Sequence, residues 1–317
     1  MMWKFPIATL LLTIVPLFTS NYKPVMEKSD TTAVTTQLQR NLKKNSNATA
    51  TQLQKNRKKD STPATQQNKN QKKTATIAPA QQKRDLKTKN IDIHEKYYYD
   101  RNNPQSPSFT LEISIPVIEM ENAEVGKRIQ KTITKAVANS GWGNHSDSDL
   151  LAVAINDIKK YAKNYFNNFD DISDYKNVEY NLYIKATASI GYNGYINYVI
   201  NSGEYTGGTG IYGTYAINIS PVTGYEIKFD NVFKSGSKTE LTRIIEEATA
   251  KQSGVSSFQE LVDNGIVWCK DMPVSENFIL GKDTTTFLYG IYEIAARAMG
   301  EFHIKVPNSR IKHLMKL

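Results

Sequence analysis

A cluster of three glycines between two alternating stretches restricts the fold of this chain more than any other feature. Gly207, Gly208 and Gly210 fall within four positions, and glycine tolerates positive φ angles and close backbone approach. The next stretch, 211–219, alternates apolar and polar residues, which is typical of a half-buried β-strand. A turn from Pro221 to Gly224 then leads into a further segment. We therefore predict a tight loop between neighbouring strands, serving either packing or binding.

The loop also contains a G-x-G-x-x-G pattern, from Gly208 to Gly213. In a dinucleotide-binding fold the last glycine opens a helix whose N-terminus faces the pyrophosphate, whereas here the following residues alternate as a strand. A kinase-type glycine loop does run from strand to strand, but the chain contains no H-R-D, D-F-G or V-A-I-K motif. We therefore predict no nucleotide site and expect no cofactor.

The N-terminal segment 1–20 has the features of a secretory signal. Lys4 precedes an apolar run from Phe5 to Phe18, which is too short for an ordinary membrane-spanning helix. We therefore expect an extracytoplasmic protein that is periplasmic, secreted, or tethered to the membrane if this segment stays as an anchor. Cys269 is the only cysteine, so no disulfide can form within the chain. With its neighbour Trp268, it is interpreted as a small buried hydrophobe.

Residues 21–92 are polar and basic and predict a disordered repeat linker. Three similar copies begin at Thr36, Thr51 and Thr65 and read TQLQRNLKK, TQLQKNRKK and TQQNKNQKK. Residues 21–90 hold sixteen Lys and Arg against four Asp and Glu. This surplus exceeds the net charge of +9 of the whole chain, so the folded region after residue 90 is mildly acidic. No specific nucleic-acid site is therefore expected in the folded part. The linker either binds anionic envelope polymer or lipid headgroups, or acts as a solvated spacer.

The remaining chain, with halves at 93–203 and 204–317, alternates between strand and helix patterns. After a polar lead-in at 94–107, helices are predicted over 125–137, 151–169, 241–248 and 258–262. Two of them have predicted N-terminal caps, at Ser146 to Asp149 and at Ser237 with Glu240. Strands are predicted over 109–115, 180–190, 195–202, 211–219, 277–280, 285–288 and 302–306. This order predicts an α+β fold, in which a mainly antiparallel sheet has helices packed on one face and follows the disordered tail.

Several segments of the folded region carry a family resemblance. They are Ile113 to Ile118, Tyr205 to Gly208, Thr223-Gly224, Asp230 to Phe233, Tyr292 to Ala295 with Gly300, and Val306-Pro307. In their order and spacing the chain resembles the extracytoplasmic domain pair of the family of RsiV, a lysozyme-sensing anti-sigma factor. The same domain pair, of largely unknown function, occurs with the peptidoglycan deacetylase PdaC. The resemblance implies a non-catalytic binding module of the bacterial cell envelope that contacts a lysozyme-like protein or peptidoglycan.

The residue types argue for binding rather than catalysis. No two of the four histidines have metal-ligand spacing, and no catalytic dyad or triad is evident. The family often has a histidine where Gly210 stands, which further weakens acid–base or metal chemistry in this loop. We therefore expect neither a metal nor an enzyme activity. Two alternatives stay open: a hydrolase or deacetylase-associated domain acting on envelope polysaccharide, and a structural envelope protein that adheres through its basic tail.

Tyrosines and one acidic residue supply the candidate binding site. Tyrosine combines a large rigid contact area with a polar tip. Glu293 lies in an otherwise apolar run, where it caps a backbone turn, pairs with Arg297 or contacts a ligand. Six tyrosines of the central strands either form a contact surface or edge the core: Tyr192, Tyr195, Tyr198, Tyr205, Tyr212 and Tyr215. The predicted binding residues are Tyr205, Gly207, Gly208, Thr209, Tyr212, Tyr292 and Glu293.

Overall fold

The computed structural model of the chain describes residues 86–140, 146–169, 172, 175–208 and 210–317. The predicted signal segment 1–20 and residues 21–85 of the predicted linker lie outside the described residues. Within the described part, two β-sheets and the helices beside them form an α+β fold. The larger sheet is mainly antiparallel, which confirms the predicted fold class.

Five strands form the larger sheet: β1 (Thr88–Tyr98), β2 (Ser108–Ile118), β3 (Glu179–Ile190), β4 (Ile196–Tyr205) and β5 (Ile211–Ile219). Their order across the sheet is the same as their order along the chain. β2 and β3 run parallel, whereas the other neighbouring pairs are antiparallel. A parallel pair needs a crossover connection. Two helices supply it, α1 (Ala123–Ala138) and α2 (Leu151–Lys163).

β1 lies where the sequence predicted the end of the linker and a polar lead-in, so that prediction is wrong for residues 88–98. The strand pairs along its whole length with β2. Ile91, Ile93 and Tyr97 pack partly buried against the core, while Asp92 and His94 between them are exposed. The pairing of β1 with β2 is made by backbone groups. Only one face of β1 packs against the core, so only that face needs apolar side chains.

The two helices cover one face of the larger sheet. Asn122 caps α1, because its side-chain oxygen accepts hydrogen bonds from the N–H groups of Glu124 and Val125 at 3.0 and 3.1 Å. The predicted cap of α2 is wrong: the helix follows Leu150, which makes no side-chain cap bond. The Ser146 hydroxyl instead donates to Asp157 within that helix at 2.8 Å. The buried core lies between sheet and helices and includes Phe109, Leu111, Ile113, Ile129, Ile133, Ile158, Leu182, Ile184, Tyr198 and Ile200.

Three strands form a second, antiparallel sheet: β6 (Phe278–Leu280), β7 (Thr284–Tyr289) and β8 (Phe302–Pro307). All three were predicted, with small shifts at their ends. The helices of this C-terminal region are α3 (Phe229–Val232), α4 (Lys238–Ser253), α5 (Phe258–Asp263) and α6 (Asn308–Ile311). α4 lies against β8, and its buried residues are Leu241, Ile244, Ile245, Ala248, Thr249 and Ala250.

The predicted capping box of α4 does not form. Ser237 precedes the helix, but its side chain makes no cap bond, and its buried Oγ has no hydrogen-bond partner. Glu240 lies close to the ring of His313 instead, with 2.9 Å between the carboxylate oxygen and Nε2. The acidic residue of the predicted capping box, Glu240, therefore interacts with the C-terminal part of the chain and not with the start of α4.

Candidate functional site

A groove of about 830 Å³ lies along β5 and between the two sheets, and we call it the β5 groove. The helix layer leaves β5 partly open: Tyr215 is 41% exposed, whereas Ile200, its register partner on β4, is fully buried. The C-terminal half of α1 forms one wall, and loops next to the second sheet form the other. The lining includes Thr132, Lys135, Asn139, Tyr212, Gly213, Tyr215, Ile217, Tyr225, Glu226, Lys228, Asn277, Gly290, Glu293 and Glu301.

In the middle of β5, the outer strand edge is closed by side chains that come just before β6 and β8, whereas at the C-terminal end of β5 the backbone N–H of Ile227 donates to the Asn218 carbonyl at 2.6 Å. Asn277 accepts a hydrogen bond from the Ala216 N–H at 2.9 Å and donates to the Thr214 carbonyl at 2.8 Å. Asn218 pairs in the same way with β6, through the Phe278 carbonyl and the Leu280 N–H, at 2.9 Å each. An open strand edge carries unpaired N–H and C=O groups; the Asn277 amide satisfies two of them on β5, and the Asn218 amide satisfies two on β6.

The sequence predicted β5 as half-buried, with a polar outer face. Thr214, Ala216 and Asn218 lie on that face, and each is less than one-tenth exposed. The second sheet covers them, so both faces of β5 are buried from Ala216 to Ile219, and the prediction is wrong for those residues. Polar residues occupy this face because Thr214 and Asn218 make the hydrogen bonds that join the two sheets.

Glu301 is the most enclosed carboxylate of the β5 groove, with 15% of its side chain exposed. It accepts hydrogen bonds from the N–H and the hydroxyl of Thr214, and His303 Nε2 lies 3.7 Å from its Oε2. Burial acts to raise the pKa of Glu301, but the contacts with His303 and Thr214 outweigh it, so that pKa lies below its ordinary value. Glu301 is therefore held as a carboxylate and acts as an acceptor for β5.

Glu293 caps a backbone turn, which is one of the roles predicted for it. Its carboxylate accepts a hydrogen bond from the N–H of Gly290 at 2.8 Å. Within the same turn, Tyr292 has a φ of 65° and is 59% exposed. A non-glycine residue in this left-handed region is strained. Arg297 does not pair with Glu293; its guanidinium donates to the carbonyl of Gly210.

Three tyrosines supply polar tips to the β5 groove. Within the described part of the chain, the hydroxyls of Tyr212, Tyr215 and Tyr225 have no hydrogen-bond partner. Burial first, and then the nearby carboxylate of Glu226, raises the pKa of Tyr215, which keeps this phenol protonated. The ring of Tyr225 lies 5.6 Å from the guanidinium carbon of Arg128, which fixes its position on the rim. These hydroxyls are available to a ligand.

The glycine loop lies beyond the end of the β5 groove, so the structure separates the predicted binding residues. Tyr212 and Glu293 line the groove. Gly207, with a φ of +92°, leaves room for the ring of Tyr180, since a Cβ there would lie 2.8 Å from that ring. Tyr205 is paired with Asn181 on β3. Gly208 is exposed, Tyr292 lies next to the groove-lining Glu293, and Thr209 lies outside the described residues.

Sequence reasoning missed a half-buried acid, Glu204, just before the glycine loop. Glu204 lies on the helix side of β4 and accepts a hydrogen bond from the hydroxyl of Tyr161 in α2. Burial raises the pKa of Glu204, and the bond from Tyr161 offsets this only in part. In the sequence, Tyr205 and the loop glycines indicate a site in the loop. They do not indicate the hydrogen bond between Glu204 and Tyr161.

Three further residues of the region were missed: Asn277, Glu301 and Trp268. Trp268 and Cys269 were interpreted as buried, yet Trp268 is 55% exposed and Cys269 is half-buried. Burial raises the pKa of the Cys269 thiol, so this thiol is a weaker nucleophile than an ordinary one. Within the described ranges, no group of three His, Cys, Asp or Glu residues is placed to hold a metal ion. Nor does any described helix have the length and apolarity to cross a membrane.

Fold and groove define a two-sheet α+β protein whose C-terminal region matches a family of unknown function. The sequence profile of DUF3298, a family of proteins of unknown function, matches residues 230–309. This range extends from α3 to the start of α6. Residues 230–309 are therefore similar to an uncharacterised domain of the DUF3298 type.

Solved structures of DUF3298 proteins share the fold. A member of the family from Bacteroides fragilis NCTC 9343 matches with a TM-score of 0.60 and 25% identity, over 73% of this chain and 94% of that chain. A DUF3298 family protein from Pseudomonas aeruginosa PAO1 matches with a TM-score of 0.53 and 13% identity, over 74% and 95%. No curated protein matches the chain. None of these matches names RsiV or PdaC, so that resemblance stays a prediction.

Proposed function

We propose that this protein is a non-catalytic binding module of the bacterial cell envelope, of the RsiV type, which contacts a lysozyme-like protein or peptidoglycan. The observation that carries the proposal is the β5 groove. Its size falls within the usual range of ligand sites, about 300–1,000 Å³, and it combines tyrosine rings with unpartnered hydroxyls. Such rings give much contact area for little loss of side-chain freedom.

The state of the groove carboxylates supports binding over chemistry. A general acid or base must reach the proton that it transfers. Glu301 is occupied by the N–H and hydroxyl of Thr214, and Glu293 by the N–H of Gly290. Both side chains therefore shape the groove and leave ligand contacts to the tyrosines.

The expected location of the protein in the cell envelope rests on the N-terminal part of the chain. A signal segment at 1–20 would export the protein, and the basic linker between that segment and β1 would hold it near anionic envelope polymer or lipid. Attraction of that kind is screened over about 8 Å at physiological salt. Contacts in the β5 groove, by contrast, depend on packing and neutral hydrogen bonds, so salt separates the two modes of binding.

The test is a binding assay of the full-length chain with purified peptidoglycan sacculi and with immobilised c-type lysozyme, at low and at moderate salt. The proposal expects binding to one of these ligands that survives moderate salt and is lost in a Tyr212→Ala, Tyr215→Ala double variant. Tyr175→Ala is the matched control, since Tyr175 is 57% exposed and lies outside the groove. Binding that disappears with salt, or that the double variant retains, would contradict the groove as the site.

A further inference from the structure

The aromatic ring of Trp268 is exposed next to the β5 groove. Its backbone N–H donates to the carbonyl of Ile294 at 3.0 Å, and its indole N–H donates to the carbonyl of Glu293 at 3.4 Å. The indole has no other donor, so its polar group is used inside the protein and its exposed part is the apolar ring. With 55% of the residue exposed, Trp268 is a fixed and largely uncovered ring.

Tyr292 comes immediately before Glu293, the residue whose carbonyl accepts the indole N–H of Trp268. The turn that carries Tyr292 is fixed by the bond from the Gly290 N–H to Glu293. The left-handed φ of 65° at Tyr292 is sterically unfavourable for a residue with a side chain, and packing does not account for it because the side chain is mostly in solvent. Strain of this kind is concentrated at sites that bind ligands.

We propose that Trp268 and Tyr292 form a stacking platform that continues the β5 groove, and that the ligand is a neutral glycan strand. The inference rests on the proposed function in taking the groove as the binding site. A sugar ring has an apolar C–H face that can lie on an aromatic ring, and hydroxyl or acetamido groups that can pair with phenols. The groove offers three unpartnered phenols, on Tyr212, Tyr215 and Tyr225.

The charges of the groove favour a neutral ligand over a charged one. Glu293 and Glu301 are each bonded to a backbone N–H, and Lys135 lies 3.5 Å from Asp149. Glu226 and Lys228 have opposite charges and lie two residues apart on one loop. The lining therefore has little net charge left to select an ion, whereas its rings and hydroxyls match an uncharged sugar chain.

The probe is a β-1,4-linked oligomer of N-acetylglucosamine, added to the full-length chain and followed by tryptophan fluorescence and calorimetry. The proposal expects Trp268→Ala and Tyr292→Gly each to weaken binding about tenfold, as for a central contact residue. Tyr292→Gly removes the ring and leaves a residue suited to the observed φ, so a folding defect is not expected. Tyr175→Ala should bind as the unchanged protein does, and moderate salt should have little effect.

The outcomes separate this inference from the proposed function. Equal binding of the oligomer by both platform variants would overturn the platform while the proposed function stands. If lysozyme binds in a manner that depends on Trp268 and the oligomer does not bind, the partner is a protein, and the glycan assignment is overturned. If the oligomer, the sacculi and lysozyme all fail to bind, the proposed function fails together with the inference.

Discussion

The carboxylate of Glu301 accepts hydrogen bonds from both the backbone N–H and the hydroxyl of Thr214, at 2.6 and 2.8 Å. The two residues are 87 positions apart in the sequence. Thr214 lies on the outer edge of β5, and Glu301 comes immediately before β8 of the second sheet. Through this pair, a side chain takes the place of the neighbouring strand that β5 lacks at this point. The same contact forms part of the wall of the β5 groove.

Replacing Glu301 by alanine should lower the free energy of unfolding by about 1–3 kcal/mol, because the buried N–H of Thr214 loses its acceptor, while the Thr214 hydroxyl keeps Asn201 Oδ1 at 3.0 Å. Denaturant unfolding followed by circular dichroism measures the change. Glu276→Ala is the matched control, since the Glu276 side chain is 67% exposed and forms a surface ion pair with Lys238, and its effect should stay within about 0.5 kcal/mol. Similar effects for the two variants would refute the role given to Glu301.

The contribution of Glu301 should also depend on pH. Its pKa is lower in the folded chain than in the unfolded one, so its contribution is fully present above the unfolded value of about 4.3 and is lost as pH falls through the folded pKa. The difference in stability between the protein and its Glu301→Gln variant should therefore shrink below about pH 4.3. Unfolding curves recorded from neutral to acid pH test this. If the stability difference between the protein and the Glu301→Gln variant grew as the pH fell, the pKa of Glu301 would be raised in the folded chain and not lowered.

Regular periodicity predicted most of the fold, and failed where pairing does not depend on side chains. The stretches that became β5 and β8 alternate because side chains on one face pack into a core. β1 also alternates, through Ile91, Ile93 and Tyr97, but polar exposed residues and the neighbouring tail hide this pattern. The cap of α2 was predicted wrongly because the Ser146 hydroxyl has a competing acceptor in Asp157, and a sequence does not show such competition.

The candidate site was predicted only in part, because residues close in sequence point to different places. Tyr205 and Gly207 belong to the end of the β4–β5 hairpin, whereas Tyr212 and Glu293 meet in the β5 groove. Asn277 reaches β5 from 61 positions away, and no local pattern marks it. Long-range contacts of this kind follow from how the second sheet lies on the first, which is a property of tertiary packing.

Gly191 should tolerate no side chain, because it lies where the two sheets meet. A Cβ at this position would lie 2.1 Å from the carbonyl oxygen of Leu280 in β6. The Gly191→Ala variant should therefore lose about 1–3 kcal/mol of stability, as expected for overpacking. Gly208→Ala serves as the comparison, since a Cβ there meets nothing within 4 Å. Equal thermal unfolding midpoints for the two variants would contradict the close contact between Gly191 and Leu280.

Tyr292→Gly should be as stable as the unchanged protein, or more stable by up to about 1 kcal/mol, because glycine adopts a φ of 65° without steric strain. Tyr292→Ala removes the same ring but keeps a Cβ, so it should not gain this stability. Chemical unfolding of the two variants side by side isolates the backbone effect. A Tyr292→Gly variant less stable than Tyr292→Ala would show that the turn at 290–293 is not strained.

The two helix starts predict opposite results for the same kind of substitution. Asn122→Ala should cost about 1 kcal/mol, because Asn122 accepts hydrogen bonds from two N–H groups at the start of α1. Ser237→Ala at the start of α4 should be neutral or stabilising, because the Ser237 Oγ is buried and has no partner, so its removal relieves an unsatisfied polar group. Denaturant titration of both variants provides the comparison. A loss of about 1 kcal/mol for Ser237→Ala would instead support the capping box that the sequence suggests.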